Sequence, residues 1–517
     1  MRKYPIDIRG FQTIREEGYV YIDKTAYVHK MASYGKYYFL SRPRRFGKSM
    51  MITTLHAYFE GRKELFEGLA IEKLEKDWKR YPVLRIDLSR GKYYQLDSVF
   101  SVFNLILEDY ERVYGITPTR LDEYGSRFAR IIQTAYEQTG EKVVVLIDEY
   151  DAPMLDSIHK PELQEQIRER QRDLFSPLKS EEDHLRFVFL TGISKFSQLS
   201  IFSELNNLNV ITFMPEYEAI CGVTEEEMRT QLGKDIEELG QSMGLTFEEM
   251  MAKLKFMYDG YHFTEKMTDI YNPFSLNRCL YHKKVANYWF STGTPTMLVN
   301  ILREHHINLP DLEGFETDLY RFDAPTERLS DPISVLYQSG YLTLKGYDPM
   351  LDVFTLGFPN EEVRRGFADS LYKYYADSYV NGKDVIRQAY IRVWRGGPIE
   401  DFLQTLQVFY ASMPYSITNK NERHYQSILY AVLIAIGADV RTEVETATGR
   451  LDLVLKMPQT IYIFELKYDK SAQEALDQIK QRDYAVAYAN DERPKVAIGL
   501  NYNSGQRTVD QWLVEQL

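Results

Sequence analysis

Cysteine is nearly absent: Cys221 and Cys279 are the only two, too few and too far apart for a disulfide framework or a zinc ligand set. That scarcity points to a reducing compartment. A long hydrophobic run is missing as well, since nowhere do about eighteen apolar residues stand together as a membrane span requires. The opening MRKYPIDIRGFQTIREEGYVYIDKT lacks the apolar core of a secretory signal. A cytoplasmic protein with no membrane partner is expected. Internal repeats and low-complexity tracts are missing too, which excludes solenoid and fibrous architectures. Positive charge is not in excess: the net charge is −12, and residues 401–517 hold 12 Lys+Arg against 15 Asp+Glu. Composition therefore excludes a general nucleic-acid coat protein, and any nucleic-acid chemistry has to rest on a local site.

What is present is ordinary globular material, 44% hydrophobic and 27% charged, in a chain of 517 residues that exceeds one hydrophobic core. Forty tyrosines are spread along the whole chain and read as half-buried packing residues without functional weight. Tyr37–Leu40 is an apolar run that leads through SRPRRFGKS into MMITTLHAYFEG, whose apolar residues recur at three and four spacing: strand, loop, helix. PVLRIDLS at 82–89, VVVLI at 143–147 and LRFVFLTG at 185–192 read as further strands, with helical stretches near 96–113 and 121–138. Continuous apolar strands alternating with helices predict a three-layer α/β domain around a parallel sheet.

From about residue 220 the text turns acidic and helical, with turns at YDGYHF (258–263), YNPFSL (271–276) and FSTGTPTMLV (290–299), and no comparable buried strand. VWRGGPIE at 393–400 reads as a boundary. The last part predicts a helix at 422–436, strands near 439–445, 451–456 and 460–466, a long helix over about 470–489, a strand at 496–500 and a final amphipathic helix. The expected domains are 1–220, a mostly helical 221–395, and 396–517.

A phosphate-binding loop between a buried strand and a helix gathers backbone N–H groups, and a lysine and a hydroxyl complete it. Phe46-Gly47-Lys48-Ser49 supplies that ending, with Lys48 set against the β and γ phosphates and Ser49 against Mg²⁺, although Arg42 stands where the strict pattern has its first glycine. The strand at 143–147 ends in Asp148-Glu149, an acid for the Mg²⁺ site followed by one to polarise the attacking water. Each signal alone has a bland explanation; their joint occurrence points to ATP. Thr191-Gly192-Ile193-Ser194-Lys195 reads either as a γ-phosphate sensor or as a strand-end turn, and Arg42, Arg44 and Arg45 either as phosphate contacts or as solvated loop residues.

Together YIDKT (21–25), SRPRRFGKS (41–49), LIDEYDAP (146–153), TGISKFSQLSIFSELNNL (191–208) and YNPFSL resemble the AAA-ATPase-like family of bacterial and archaeal proteins over most of residues 1 to about 290. That family's own loop carries RPRRFGKS, so the missing glycine is no departure. The resemblance implies a P-loop NTPase fold, ATP and Mg²⁺ binding at Lys48, Ser49 and Asp148, and a nucleotide-contacting loop that includes Arg45 and Gly47. AAA-type ATPases often assemble, which leaves a homo-oligomer open.

GRLDLVL at 449–455 is followed by FELKY at 464–468. Asp452 on one strand, with Glu465 and Lys467 two apart on the next, would share one face. Two carboxylates suit a hard divalent cation, Leu466 would add its carbonyl, and Lys467 would orient water or steady the transition state. Glu422 opens the preceding helix, within reach of a second metal or of the lysine. A solvent-facing hairpin is the alternative for a bare D…ExK; Glu422 and the element order favour a site. These residues resemble the PD-(D/E)xK nuclease superfamily, a restriction-endonuclease-like α/β core, over about residues 400–500, and Gln478 and Tyr484 are similar to the Gln and Tyr that accompany that core in some nucleases. The leading expectation is an ATP-controlled, metal-dependent nuclease acting on nucleic acid, DNA in the first place. The alternative is a nucleotide-dependent switch or scaffold with an inactive nuclease-like domain.

Overall fold

Apolar runs buried on both faces build the first sheet. The computed structural model describes residues 2–117, 120–194, 208–290, 309–322, 331–376, 382–413, 422–446 and 449–517. Strands β1 (Tyr37–Ser41), β2 (Val83–Asp87), β3 (Val143–Asp148), β4 (Leu185–Gly192) and β5 (Asn209–Val210) are all parallel, in the order β2-β3-β4-β1-β5. The loop after β1 leads into helix α1 (Lys48–Phe59). Helices α2 (Leu96–Tyr114), α3 (Tyr124–Thr139) and α4 (Pro161–Phe175) share one hydrophobic core with the sheet, centred on Ile86, Phe103, Ile131, Val145 and Val188. Because every strand points the same way, Ser41, Asp87, Asp148 and Gly192 end on one edge. This is the edge where an open parallel sheet receives ligands.

The acidic helical text forms α5 (Glu225–Gln231), α6 (Gly233–Ser242), α7 (Phe247–Tyr258) and α8 (Pro273–His282) around a core of Met228, Ile236, Met250, Leu254 and Leu276. Capping boxes at Thr224 with Glu227 and Thr246 with Glu249 fix two of the helix starts. YNPFSL starts a helix: the Asn272 side chain accepts from Phe274 N and Ser275 N, and Pro273 takes the first helical position. The region also carries α9 (Pro332–Gln338) and a hairpin of β6 (Thr343–Asp348) and β7 (Val353–Gly357), strands that the sequence pattern does not announce. The stretch 291–300 lies outside the described residues.

The chain divides into two compact units, Met1–Tyr288 with Glu316–Asn360, and Trp289–Phe315 with Glu361–Leu517. Residues 221–395 are thus shared between the two. In the second unit α10 (Glu361–Ala376) packs on α11 (Glu422–Ala435), and α11 buries every side chain from Tyr425 to Ile434. The Gly396-Gly397 turn lies inside this unit. Its sheet runs β8 (Val440–Thr446), β9 (Gly449–Lys456), β10 (Ile461–Tyr468), β11 (Lys495–Asn503) and β12 (Thr508–Gln516) in chain order, parallel only between β10 and β11. Helix α12 (Ala472–Gln481) crosses between those two. Among the described residues no helix is long and apolar enough to cross a membrane.

Two expectations for the C-terminus are corrected. The final segment is a strand, not an amphipathic helix: from Asp510 to Glu515 its exposure alternates residue by residue, and β-branched Thr508, Val509 and Val514 suit a ladder on β11. The helix expected over 470–489 stops at Gln481, because Asp483 adopts φ 45° and Tyr484–Tyr488 tightens into a 3₁₀ turn.

Gly499 on β11 lets α12 lie against the sheet: a Cβ there would stand 2.3 Å from the Ala472 carbonyl oxygen and 2.9 Å from Leu476 N. Gly499→Ala is expected to lower unfolding stability by about 1–3 kcal/mol. Gly233→Ala, where an added Cβ meets nothing within 4 Å, should stay within about 0.5 kcal/mol of the parent. Chemical denaturation of the two variants checks the contrast.

Candidate functional site

The loop after β1 is shaped by one glycine and one strained arginine. Gly47 takes φ 97° and Arg45 φ 70°, so the backbone turns without the first glycine of the strict pattern. The Arg45 guanidinium stacks 4.1 Å from the Phe274 ring centroid, and Arg44 is exposed. Arg42 is turned inward, only 1% exposed. Its guanidinium donates to the carbonyls of Ser41 (3.0 Å), Thr212 (2.8 Å), Tyr217 (3.3 Å) and Glu218 (3.4 Å) and lies 4.1 Å from the Phe263 ring. Burial pulls its pKa down to about 10, so it stays charged at neutral pH. The arginine in place of the glycine is therefore an internal strut, and the phosphate-contact reading of Arg42 is corrected.

Lys48 opens α1 and is buried, its Nζ donating to the Arg42 (2.8 Å) and Pro43 (3.0 Å) carbonyls. Desolvation lowers its pKa, against the pull of Asp151, Asp148 and Glu149. Ser49 stands beside Asp148, which is 2% exposed and whose Oδ1 has no partner. Burial raises the Asp148 pKa; Ser49 opposes, while Asp87 and Glu149 add to the rise. Glu149 holds φ 49°, a strained position of the kind that collects at functional sites, and burial raises its pKa against Lys48. Ser49 and Asp148, with its unpaired buried oxygen, are the groups here that could hold a divalent cation.

Two acids here have no clear signal in the sequence. Asp87 ends β2 opposite Asp148 in the ladder, the same strand-end pattern in a weaker form. Asp151 is buried and accepts from Ile193 N (2.8 Å) and Ser194 N (2.7 Å), tying the loop after β3 to the end of β4. Thr191 donates to the Leu40 carbonyl at 2.9 Å and is fully buried, which makes it a strand-end tie and not a sensor; Lys195 lies outside the described residues.

In the second unit, Leu453 pairs with Phe464 across β9 and β10, so Asp452 faces Glu465 at the next position. Glu465 is 1% exposed; its Oε1 accepts from Lys467 Nζ at 2.9 Å, and its Oε2 has no partner. Asp452 Oδ2 accepts from Leu466 N at 2.8 Å. Burial raises both carboxyl pKa values, and each carboxylate in turn lifts its neighbour: Asp452 acts on Glu465, and Glu422 on both. Burial works to lower Lys467, but Glu465, Glu422 and Asp452 together hold it above its ordinary value. Glu422 Oε1 lies 3.4 Å from Lys467 Nζ, so the structure places it on the lysine.

Gln478 hydrogen-bonds Tyr484, which is buried and feels the charges of Glu465 and Asp452. Gln426, one turn beyond Glu422 on α11, was missed: its Nε2 donates to the Asp452 carbonyl at 3.1 Å and lies 3.4 Å from Oδ1. A buried glutamine in an otherwise apolar helix was the available signal. Among the described residues no three His, Cys, Asp or Glu side chains form a ready metal cage. Each site offers acids that fit a cation which also takes ligand oxygens.

Residues 5–202 match the family model described as predicted AAA-ATPase, and residues 420–512 match that of the PD-(D/E)XK nuclease superfamily. Over its full length the chain is 36% identical to a relative from Azotobacter chroococcum mcd 1 described as "Uncharacterized protein in vnfD 5'region", covering 99% of it. Among solved structures it matches that of the Aeropyrum pernix ORC2 protein (ADPNP-ADP complexes) at 11% identity over 70% of this chain and 93% of that one. The TM-score of 0.22 is too low to argue from.

The raised Asp452 and Glu465 pKa values have a signed consequence. The folded state holds their protons more tightly than the unfolded chain does, so their contribution favours folding below about pH 4 and is lost as pH rises through the raised folded values. Without metal, denaturation midpoints of the parent should fall between pH 5 and 8 more steeply than those of Glu465→Gln, and Mn²⁺ should restore the parent at pH 8. Parallel pH profiles in parent and variant would count against the assignment.

Proposed function

The chain belongs to the predicted AAA-ATPase family with a C-terminal PD-(D/E)XK nuclease superfamily domain, and from that premise we propose that it hydrolyses ATP and cleaves nucleic-acid phosphodiesters with a divalent metal. The observation that carries the nuclease half is Glu465 Oε2, a buried carboxylate oxygen left without a partner beside Asp452 and Lys467. Leaving such a group unsatisfied costs about 1–3 kcal/mol unless something binds it. Asp452, Glu465 and the Leu466 carbonyl would hold the ion, which supplies positive charge to the phosphoryl oxygens. Lys467, steered by Glu465 and Glu422, is the group that meets the attacking water and the developing charge.

At the phosphate loop Lys48 would exchange the Arg42 and Pro43 carbonyls for the β and γ phosphates, Gly47 and Arg45 shape the loop, Ser49 and Asp148 would hold Mg²⁺, and Glu149 would orient water. The parallel sheet's edge of strand ends and the family match support nucleotide binding. In this reading the ATP state governs cleavage.

Lys48→Ala is expected to abolish ATP binding in a calorimetric titration, whereas Asp148→Asn should keep binding and slow turnover. Undiminished affinity in the first variant would overturn the loop assignment. Asp452→Asn and Lys467→Ala should each remove Mn²⁺-dependent cleavage of DNA and RNA and leave ATP binding intact, Asp452→Asn by weakening the metal site and Lys467→Ala with metal still bound. Cleavage that survives in both variants, or a parent that cleaves nothing with any metal or nucleotide, contradicts the nuclease half.

A further inference from the structure

Beyond the buried Val454 and Ile463, the sheet that carries the carboxylates borders an open groove at the far end of β9. Its volume is 690 Å³, and its lining includes Arg441, Lys456, Tyr488, Asn490, Asp491 and Glu492. Register places it. Lys456 lies four residues beyond Asp452 on β9 and so shares its face, and Arg441 pairs with Val454 between them. Val454 in turn pairs with Ile463, two residues before Glu465 on the same face of β10. Tyr484 and Tyr488 are the two ends of the 3₁₀ turn: the first stands among the carboxylates' charges and the second in the groove.

The groove's charges are unevenly matched. Asp491 is taken up by Arg493 through hydrogen bonds of 2.8 and 2.5 Å, which hold its carboxyl well below the usual range. Among the described residues neither Arg441 nor Lys456 has an ion pair, and Lys456 Nζ lies 5.2 Å from the Tyr488 ring centroid. Glu492 is the one lining carboxylate left unneutralised among the described residues. A half-buried aromatic ring flanked by two free cations and an amide matches what a nucleotide presents: a base face to stack, phosphates to neutralise and base edges to hydrogen-bond.

We infer that this groove is a binding subsite for single-stranded nucleic acid, with Arg441 and Lys456 on phosphates and Tyr488 stacking an unpaired base. The inference rests on the nuclease reading for its purpose and on the groove alone for its binding.

The test is fluorescence anisotropy of labelled single-stranded DNA, single-stranded RNA and duplex DNA on the full chain in EDTA, as a function of salt. Arg441→Gln with Lys456→Gln should weaken single-strand binding and flatten the log-log salt slope by about 1.4, at about 0.7 for each phosphate no longer neutralised. Tyr488→Leu should weaken single-strand binding about tenfold, with duplex binding unchanged and Tyr488→Phe close to the parent. Preference between the DNA and RNA arms identifies the strand. Parental affinity and slope in the double variant, or equal loss in Tyr488→Leu and Tyr488→Phe, overturns the subsite. If the parent cleaves and the groove variants bind as it does, the subsite fails and the nuclease reading stands. Weakened variants of a parent that never cleaves leave the subsite standing without the nuclease, and a parent that binds no single strand overturns the subsite.

Discussion

A carboxylate oxygen buried without a hydrogen-bond partner is destabilising by about 1–3 kcal/mol, and one stands at each candidate site, on the two five-stranded sheets. Asp148 Oδ1 and Glu465 Oε2 are both enclosed, each beside a lysine and each with further acids crowding in. Neither arrangement is what packing alone would select, since an apolar or hydrogen-bonded residue would satisfy the same space. What keeps both acids in place is the sheet around them. In the first unit β3 is buried along its whole length and leaves Asp148 at its end; in the second, seven of the eight residues of β10 are buried, Glu465 among them. In the proposed reading a cation relieves both sites, and the chemistry follows from the strain.

The two lysines are held differently, and the difference bears on how each site would work. Lys48 is satisfied by its own loop, through the Arg42 and Pro43 carbonyls, and has to give these up for a phosphate. The loop can let it go without collapsing because Arg42 pins it from behind, to Thr212, Tyr217 and Glu218. Lys467 is instead held between Glu465 and Glu422, already aimed at the place where charge would develop. In the proposed reading one site would rearrange around its ligand, and the other is preorganised.

Much of this was legible in the sequence, and the limits have physical reasons. Buried parallel strands announce themselves as apolar runs, so β1, β3 and β4 and the acids and lysine at their ends could be read directly, as could the D…ExK hairpin with its i, i+2 pair. Asp87 and Asp151 could not, because their part depends on a ladder register and on a loop 42 residues further along the chain. Gln426 reaches Asp452 only once α11 has docked on β9. Arg42 escaped both local readings, phosphate contact and solvated loop residue, for a related reason: its inward direction is set by carbonyls about 170 residues away. The final strand was misread as a helix because a short amphipathic segment with both small periods present is decided by its neighbour, here β11. Tyr488 shows the converse, one tyrosine among forty that its place at the end of the 3₁₀ turn beside the groove singles out.

The central claim is that both sites hold a divalent cation on these carboxylates. Mn²⁺ binding followed by electron paramagnetic resonance, with and without ATP, tests it most directly. The account predicts a nucleotide-independent site lost in Asp452→Asn and a second site that appears only with ATP and is lost in Lys48→Ala. A protein that binds no Mn²⁺ in either condition, or whose binding is the same in both variants as in the parent, contradicts it.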